Sequence, residues 1–217
     1  MEEFFKKAKR EVIETLYSKN AIKWNLKDKF QLKSGVLSPM FCNAGVLENT
    51  LETRGSVISA MVFWLGYNFK KADAIVGMAS GGISWATSIA NSKGLDFLRA
   101  HARPKEYGLL NQFEGELPFD GAKVIVIDDI ITTGKSVLNV VNALHEGVDG
   151  KKAEVLAVFS IFDWDFPHVN QRFEKAGVKK YHIISFEEVL AYGFEHNLLP
   201  EGAEEQITQF RKEQDAL

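Results

Sequence analysis

The chain has 217 residues, of which 46% are hydrophobic and 25% are charged, and its formal net charge is −3. This composition is typical of a soluble globular domain, and the slightly acidic charge argues against a nucleic-acid binder. The single cysteine, Cys42, excludes an internal disulfide and a cysteine-rich zinc site. The charged start does not resemble a signal peptide, and no apolar run approaches the ~18 residues of a membrane span. A cytoplasmic protein without membrane association is therefore predicted.

The first third of the chain predicts two helices separated by short strands. Apolar residues at helical spacing predict an amphipathic helix from Glu2 to about Ser18. Residues 21–47, which we call the hood, alternate between apolar and polar residues and contain Gly and Pro breaks, so short strands or a hairpin are expected. A second helix is predicted to start near Asn49 and to continue through Trp64.

From residue 74 onward, strand patterns alternate with helix patterns. The predicted strands are 74–79, 95–100, 123–128, 154–162 and 181–185, and the predicted helices are 83–92, 136–146, 168–176 and a helical C-terminal end. A long loop is predicted between residues 100 and 121. Such alternation predicts an α/β fold with a central, mostly parallel sheet flanked by helices. Residues 1–217 are expected to form a single domain, in which residues 1–47 form an N-terminal helix and the hood.

Topology alone predicts where a ligand binds. In open sheets of this kind, ligands bind beyond the carboxyl ends of the strands. This rule places Ser80-Gly81-Gly82, the loop after Leu98, the loop that begins at Asp128 and the turn after Phe162 around one crevice.

In the stretch "VIVIDDIITTGKS", Val124–Ser136, an apolar strand pattern is followed directly by two carboxylates. A nucleotide-binding P-loop is a poor interpretation of its end, because Asp129 stands where that motif needs a glycine. The carboxylates of Asp128 and Asp129 instead suit hydroxyl groups or a hydrated cation. The backbone N–H groups, hydroxyls and helix dipole at 132–136 make a phosphate-binding turn. An acidic pair followed by such a turn predicts a sugar-phosphate site.

This stretch resembles the phosphoribosyl pyrophosphate signature of the type I phosphoribosyltransferases. Further segments resemble the orotate phosphoribosyltransferases of that family: the hood, the pyrophosphate loop, the mobile catalytic loop and a late helix. They are "LKSGVLSPMFCN" (32–43), "GMASGGISWATSIA" (77–90), "RPKEYGLLNQFEG" (103–115) and "FPHVNQRFEKAGVK" (166–179). The resemblance spans about residues 30–197 in the order typical of the family.

The resemblance implies transfer of a phosphoribosyl group to orotate, with Mg²⁺ held mainly by substrate oxygens and its protein ligands left open. It also implies a homodimer with shared active sites. Asp128 and Asp129 would hold the ribose hydroxyls, and the amides of residues 80–82 would hold pyrophosphate. The implied catalytic residues are Arg103, Lys105, Asp128 and Asp129. The implied substrate-binding residues are Lys33, Phe41, Ser80, Gly81, Gly82, His101, Lys105, Tyr107, Asp128, Asp129, Ile130, Ile131, Thr132, Thr133, Gly134, Lys135 and Ser136.

The chain departs from the family pattern mainly in the part of the site that would hold the base. His101 and Ala102 stand where the family has arginine and often lysine, and Tyr107 stands for a histidine. Trp164 replaces an arginine that contacts the base in other members, whereas Arg103 keeps a cation in the loop. Two alternatives therefore remain: a phosphoribosyltransferase for another base, and a non-catalytic regulator that binds phosphoribosyl pyrophosphate.

Overall fold

The structure is a computed structural model that describes residues 2–104 and 112–216. The N-terminal part contains two small antiparallel sheets, in which β1 pairs with β4 and β2 pairs with β3. Its elements are α1 (Glu2–Ser18), β1 (Ile22–Trp24), β2 (Phe30–Gln31), β3 (Leu37–Ser38), β4 (Met40–Cys42), a 3-10 helix (Ala44–Glu48) and α2 (Leu51–Asn68). The predicted short strands of the hood are thus present. Helix α2 begins after Thr50 rather than at Asn49, because the Thr50 side chain accepts the Thr53 N–H.

The rest of the chain forms a six-stranded sheet flanked by helices, which confirms the predicted α/β fold. The strands are β5 (Ala74–Met78), β6 (Asp96–Ala100), β7 (Phe113–Glu114), β8 (Ala122–Ile131), β9 (Ala153–Asp163) and β10 (Lys180–Ser185). The helices are α3 (Ile83–Lys93), α4 (Lys135–Glu146), α5 (Pro167–Lys175), α6 (Phe186–Glu195) and α7 (Ala203–Asp215). The strand order is β10-β9-β8-β5-β6-β7, and every pairing is parallel except that of β6 with β7.

The core lies on both sides of the central strands. Every residue of β5 is buried, as are Val124 to Ile127 of β8. Strands of a parallel sheet are covered on both faces, which explains why these segments are apolar without a break. Helix α1 packs against α2 and β10.

Two features of the sheet differ from the sequence expectation. The predicted long loop contains β7, whose two residues pair with Arg99 and Ala100 and are too few to leave a periodic pattern. Strand β8 continues past Asp128, because Ile130 and Ile131 pair with the end of β9. The acidic pair therefore lies within the strand, which ends at Ile131, three residues later than predicted.

The strand order creates a switch point between β5 and β8. From β5 the chain continues outward to β6 and β7, whereas from β8 it continues in the other direction to β9 and β10. Crevices of α/β sheets form at such reversals, at the carboxyl ends of the strands. Within residues 2–104 and 112–216, no helix has both the length and the apolar character needed to cross a membrane.

Candidate functional site

A cleft of about 580 Å³ lies at this switch point, between the hood and the carboxyl ends of β5 and β8. It brings together most of the residues that the sequence singled out. Those that line it are Lys33, Phe41, Ser80, Gly81, Arg103, Asp128, Asp129, Ile130, Ile131, Thr132, Thr133, Gly134, Lys135 and Ser136. Gly82 and His101 do not line it, and Lys105 and Tyr107 lie outside the described residues.

The acidic pair occupies the floor of the cleft. The Asp129 N–H donates to Asp128 Oδ1 at 3.0 Å, and the Ile130 N–H donates to Asp129 Oδ1 at 2.8 Å. Burial raises the pKa of Asp128 well above its usual range, and the neighbouring Asp129 carboxylate raises it further. The positive charge of Lys33, in the hood, acts in the opposite direction. The pair thus offers several acceptor oxygens to a hydroxyl-bearing ligand, with one carboxyl that takes up a proton readily.

The turn after β8 provides the complementary anion site. Gly134 adopts a left-handed conformation with φ +69° and immediately precedes α4. Among the described residues, the backbone N–H groups of 133–136 have no backbone acceptor. Helix α5 packs against this turn. Arg172 Nη1 donates to the Thr133 carbonyl at 3.2 Å, and the Phe173 ring lies against Gly134. Free N–H groups at a helix N-terminus bind phosphate well.

The loop after β5 approaches the backbone of β8 very closely. A Cβ added at Gly82 would lie 2.3 Å from the Ile127 carbonyl oxygen and 3.0 Å from Asp128 Cα, and one at Gly81 would lie 2.1 Å from Asp129 Oδ2. In the described part of the chain, the amides of Ser80 and Gly81 have no backbone acceptor. These two amides therefore remain candidates for binding pyrophosphate oxygens.

The Gly82 N–H already has a backbone acceptor. The sequence suggested that its N–H also binds pyrophosphate, but this N–H donates to the Met78 carbonyl at 2.9 Å. The absence of a side chain at Gly82 instead lets the first turn of α3 lie against β8.

His101 lies outside the cleft lining, and its proposed role in substrate binding stays a prediction. Its Nε2 lies 3.2 Å from Glu114 Oε1, and its N–H donates to the Gln112 carbonyl at 2.8 Å. Glu114 also accepts a hydrogen bond from Arg99 at 3.0 Å. Because β6 and β7 pair at this point, His101 is held at the sheet edge, whereas Ala102 and Arg103 line the cleft.

The hood closes the other end of the cleft. Phe41 is 40% exposed and packs against Phe30, with ring centroids 5.8 Å apart. Cys42 is buried, and this burial raises the pKa of its thiol to about 12. A thiol that stays protonated at neutral pH suits packing rather than nucleophilic chemistry. Trp164 also lines the cleft.

Several cleft residues were missed from the sequence. Asn139 lies one helical turn after Ser136 on α4, and its Nδ2 donates to the Ala102 carbonyl at 3.4 Å. Spacing of three residues on a helix places side chains on one face, so this residue could have been found. Asn43 and Gly45 line the cleft through the fold of the hood, for which the sequence pattern gives no signal.

Within the described ranges, no group of three or more His, Cys, Asp or Glu side chains could hold a metal ion. The acidic pair supplies two carboxylates, whereas a protein-held Mg²⁺ completes six oxygen ligands. Asp128 and Asp129 therefore suit a cation that brings further oxygen ligands with its substrate.

Comparisons with known proteins point to one family. Residues 55–186 match the model of a family described as the phosphoribosyl transferase domain. Orotate phosphoribosyltransferase of Cytophaga hutchinsonii is 27% identical over 203 residues, which are 94% of this chain and 95% of that protein. Orotate phosphoribosyltransferase of Streptococcus pyogenes is 33% identical over 165 residues, which are 76% of each protein.

Solved structures share the fold. Orotate phosphoribosyltransferase from Aeropyrum pernix matches with a TM-score of 0.68 at 20% identity, over 83% of this chain and 98% of that one. The structure of Leishmania donovani UMP synthase matches with a TM-score of 0.74 at 19% identity, over 94% of this chain. This chain spans 42% of that longer protein.

The two glycines predict different outcomes for the same substitution. Gly82→Ala should destabilise the fold by about 1–3 kcal/mol, because its methyl group meets backbone atoms that cannot move independently. Gly81→Ala should cost less, because its methyl group meets the carboxylate of Asp129, a side chain that can rotate away once its hydrogen bond from the Ile130 N–H is given up. Urea denaturation measures both, and a crystal structure of Gly81→Ala should show the displaced carboxylate. Equal losses for the two variants would contradict the described contacts.

Because the pKa of Asp128 is raised, replacing its carboxyl group should increase the free energy of unfolding by an amount that depends on pH. The folded protein holds the Asp128 proton more tightly than the unfolded chain, so this residue favours folding at low pH and opposes it as pH rises through the folded pKa. Asp128→Asn should therefore raise the free energy of unfolding of the ligand-free protein at pH 8, and less near pH 4. Chemical denaturation at both pH values tests this, with the exposed Asp215→Asn as the control. An Asp128→Asn protein that is less stable at pH 8 would refute the assignment.

Proposed function

The chain belongs to the phosphoribosyl transferase domain family, and we propose that it transfers the 5-phosphoribosyl group of phosphoribosyl pyrophosphate to orotate. The products are orotidine 5′-monophosphate and pyrophosphate, which makes the protein a pentosyltransferase of pyrimidine biosynthesis. The observation that carries this proposal is one cleft in which an acidic pair adjoins a phosphate-binding turn beneath the hood. The base is proposed from the name that the curated relatives share.

Substrate binding divides the cleft into three parts. The amides and hydroxyls of 132–136 bind the 5-phosphate at the start of α4. Asp128 and Asp129 accept hydrogen bonds from the two ribose hydroxyls. The amides of Ser80 and Gly81 bind the pyrophosphate, and Lys33 and Phe41 of the hood contact the base.

The reaction breaks the bond between ribose C1 and the pyrophosphate oxygen, and the electron pair leaves with pyrophosphate. A new bond forms between C1 and N1 of orotate, and the N1 proton is released to solvent. Because C1 becomes cation-like in between, the protein needs no nucleophile of its own. Positioning and charge stabilisation account for the rate enhancement.

We propose that Mg²⁺ enters with phosphoribosyl pyrophosphate, held mainly by substrate oxygens near Asp128 and Asp129. When bound, this ion neutralises charge on the leaving pyrophosphate. Arg103 lines the cleft and provides a cation there. A second cation is proposed to come from Lys105 of the partner subunit, a residue that lies outside the described ones. Exclusion of water from the closed cleft would prevent hydrolysis of the cation-like sugar.

Base choice is the direct test of this function. Purified protein with Mg²⁺ and phosphoribosyl pyrophosphate should release pyrophosphate with orotate, and not with uracil, hypoxanthine or adenine. The Asp128→Asn/Asp129→Asn double variant is the inactive control, because it loses charged acceptors worth ~1.5–3 kcal/mol each. Turnover of hypoxanthine without turnover of orotate would assign the chain to another base. Tight binding of phosphoribosyl pyrophosphate without turnover of any base would identify a non-catalytic regulator.

We also propose a homodimer in which the loop that carries Lys105 acts on the partner's site. Lys105→Ala should lose roughly 100-fold or more in turnover, the scale for one removed transition-state donor. Mixing it with the Asp128→Asn/Asp129→Asn variant should restore about a quarter of wild-type activity, since random pairing leaves one intact site in half of the dimers. No recovery after subunit exchange, confirmed by mass spectrometry, would show that the loop acts within its own subunit.

A further inference from the structure

We infer that Trp164 is the specificity-determining wall at the base end of the cleft, and that it selects a single-ring base by limiting the depth of the pocket. This inference rests on the proposed phosphoribosyl transfer and concerns only which bases are accepted. Trp164 follows β9 directly and lines the cleft although only 3% of it is exposed. It thus presents a small surface to a ligand and buries the rest of its ring.

The backbone places Trp164 beside the phosphate-binding turn. Ile131 pairs with Asp163 across β8 and β9, and the Trp164 N–H donates to the Ile131 carbonyl at 3.0 Å. Thr132 directly follows Ile131, the last residue of β8, and lines the same cleft. A base attached to a sugar held by the acidic pair and the turn is therefore bounded by Trp164 on one side and by the hood on the other.

Aromatic rings hold the indole from behind. Trp164 packs edge-on against Phe162 at 5.6 Å and against Phe210 at 5.8 Å between ring centroids. It stacks on Phe166 at 5.7 Å and lies 4.8 Å from Phe186. These four phenylalanines come from β9, α6, α7 and the residue before α5, so the ring is fixed by three separate helical regions and one strand. Close-packed aromatic cores leave little freedom for a ring to move.

Charges fix the backbone on either side of Trp164. Asp163 is completely buried and pairs with Lys180 Nζ, and Asp165 pairs with the same nitrogen at 2.6 Å. His182 Nδ1 lies 3.6 Å from Asp163. One lysine thus ties together the residues before and after the tryptophan. Breaking a buried ion pair is costly, because it leaves an uncompensated charge.

A wall that is held this firmly can exclude larger ligands. A flexible side chain would move aside for additional bulk, whereas an immobile ring makes the additional bulk collide. An indole is a six-membered ring fused to a five-membered ring, whereas a phenyl group has the six-membered ring alone. A purine differs from a pyrimidine in the same way, by one fused five-membered ring. Trp164→Phe therefore removes from the wall about as much as a purine adds to the base.

The test compares base preference in Trp164→Phe, Trp164→Leu and wild type. The measured quantity is the ratio of kcat/KM for orotate to that for hypoxanthine, with the affinity for phosphoribosyl pyrophosphate measured separately by calorimetry. The ratio should fall at least ~10-fold in both variants, the scale on which a hydrophobic pocket discriminates one small group. Affinity for phosphoribosyl pyrophosphate should stay within about twofold, because Trp164 lies outside the acidic pair and the 132–136 turn.

Phe159→Leu is the matched control for core loosening. Phe159 is fully buried in the same strand but packs against Trp64 and does not line the cleft. The Phe159→Leu variant should lose thermal stability and keep the wild-type ratio of kcat/KM for orotate to kcat/KM for hypoxanthine. An unchanged ratio in both Trp164 variants, or an equal change in Phe159→Leu, would overturn the inference while leaving orotate transfer intact. A wild-type protein that does not use orotate would instead overturn the proposed function.

Discussion

The site depends on one close approach, that of the loop after β5 to the backbone of β8. Gly82 lies where any side chain would meet the Ile127 carbonyl, and Gly81 lies against the Asp129 carboxylate. This contact brings the start of α3 and the acidic pair together at the switch point of the sheet. Without it, free amides and carboxylates would lie on separate loops, too far apart to bind the two ends of one small molecule.

The same contact concentrates negative charge. Two adjacent carboxylates share the cleft floor, and burial raises the pKa of Asp128 well above normal. Lys33 of the hood lowers this pKa, and the N–H groups of residues 133–136 have no backbone acceptor in the described part of the chain. Such an arrangement favours ligand binding over stability of the empty protein, as is common for functional sites.

The sequence predicted the features that depend on local pattern. Alternating strands and helices predicted the parallel sheet, and "DDIITTGKS" predicted that Asp128 and Ser136 share one cleft. Features that depend on partners distant in sequence could not be predicted. His101 turns from the cleft because β7, a strand of only two residues, presents Glu114 to it. Likewise, nothing near Trp164 in sequence indicates that Phe186 and Phe210 pack against it.

Support for the phosphate-binding turn reaches the far end of the described chain. Phe173 and Arg172 of α5 contact the turn directly, and His168 of the same helix donates from Nδ1 to the Gln214 carbonyl of α7 at 3.1 Å. Gln214 itself is buried. Helix α7 is thus two contacts away from the place where the phosphate would bind. A substitution in α7 that removes the Gln214 contact would therefore act on the anion site through α5, although no residue of α7 lines the cleft.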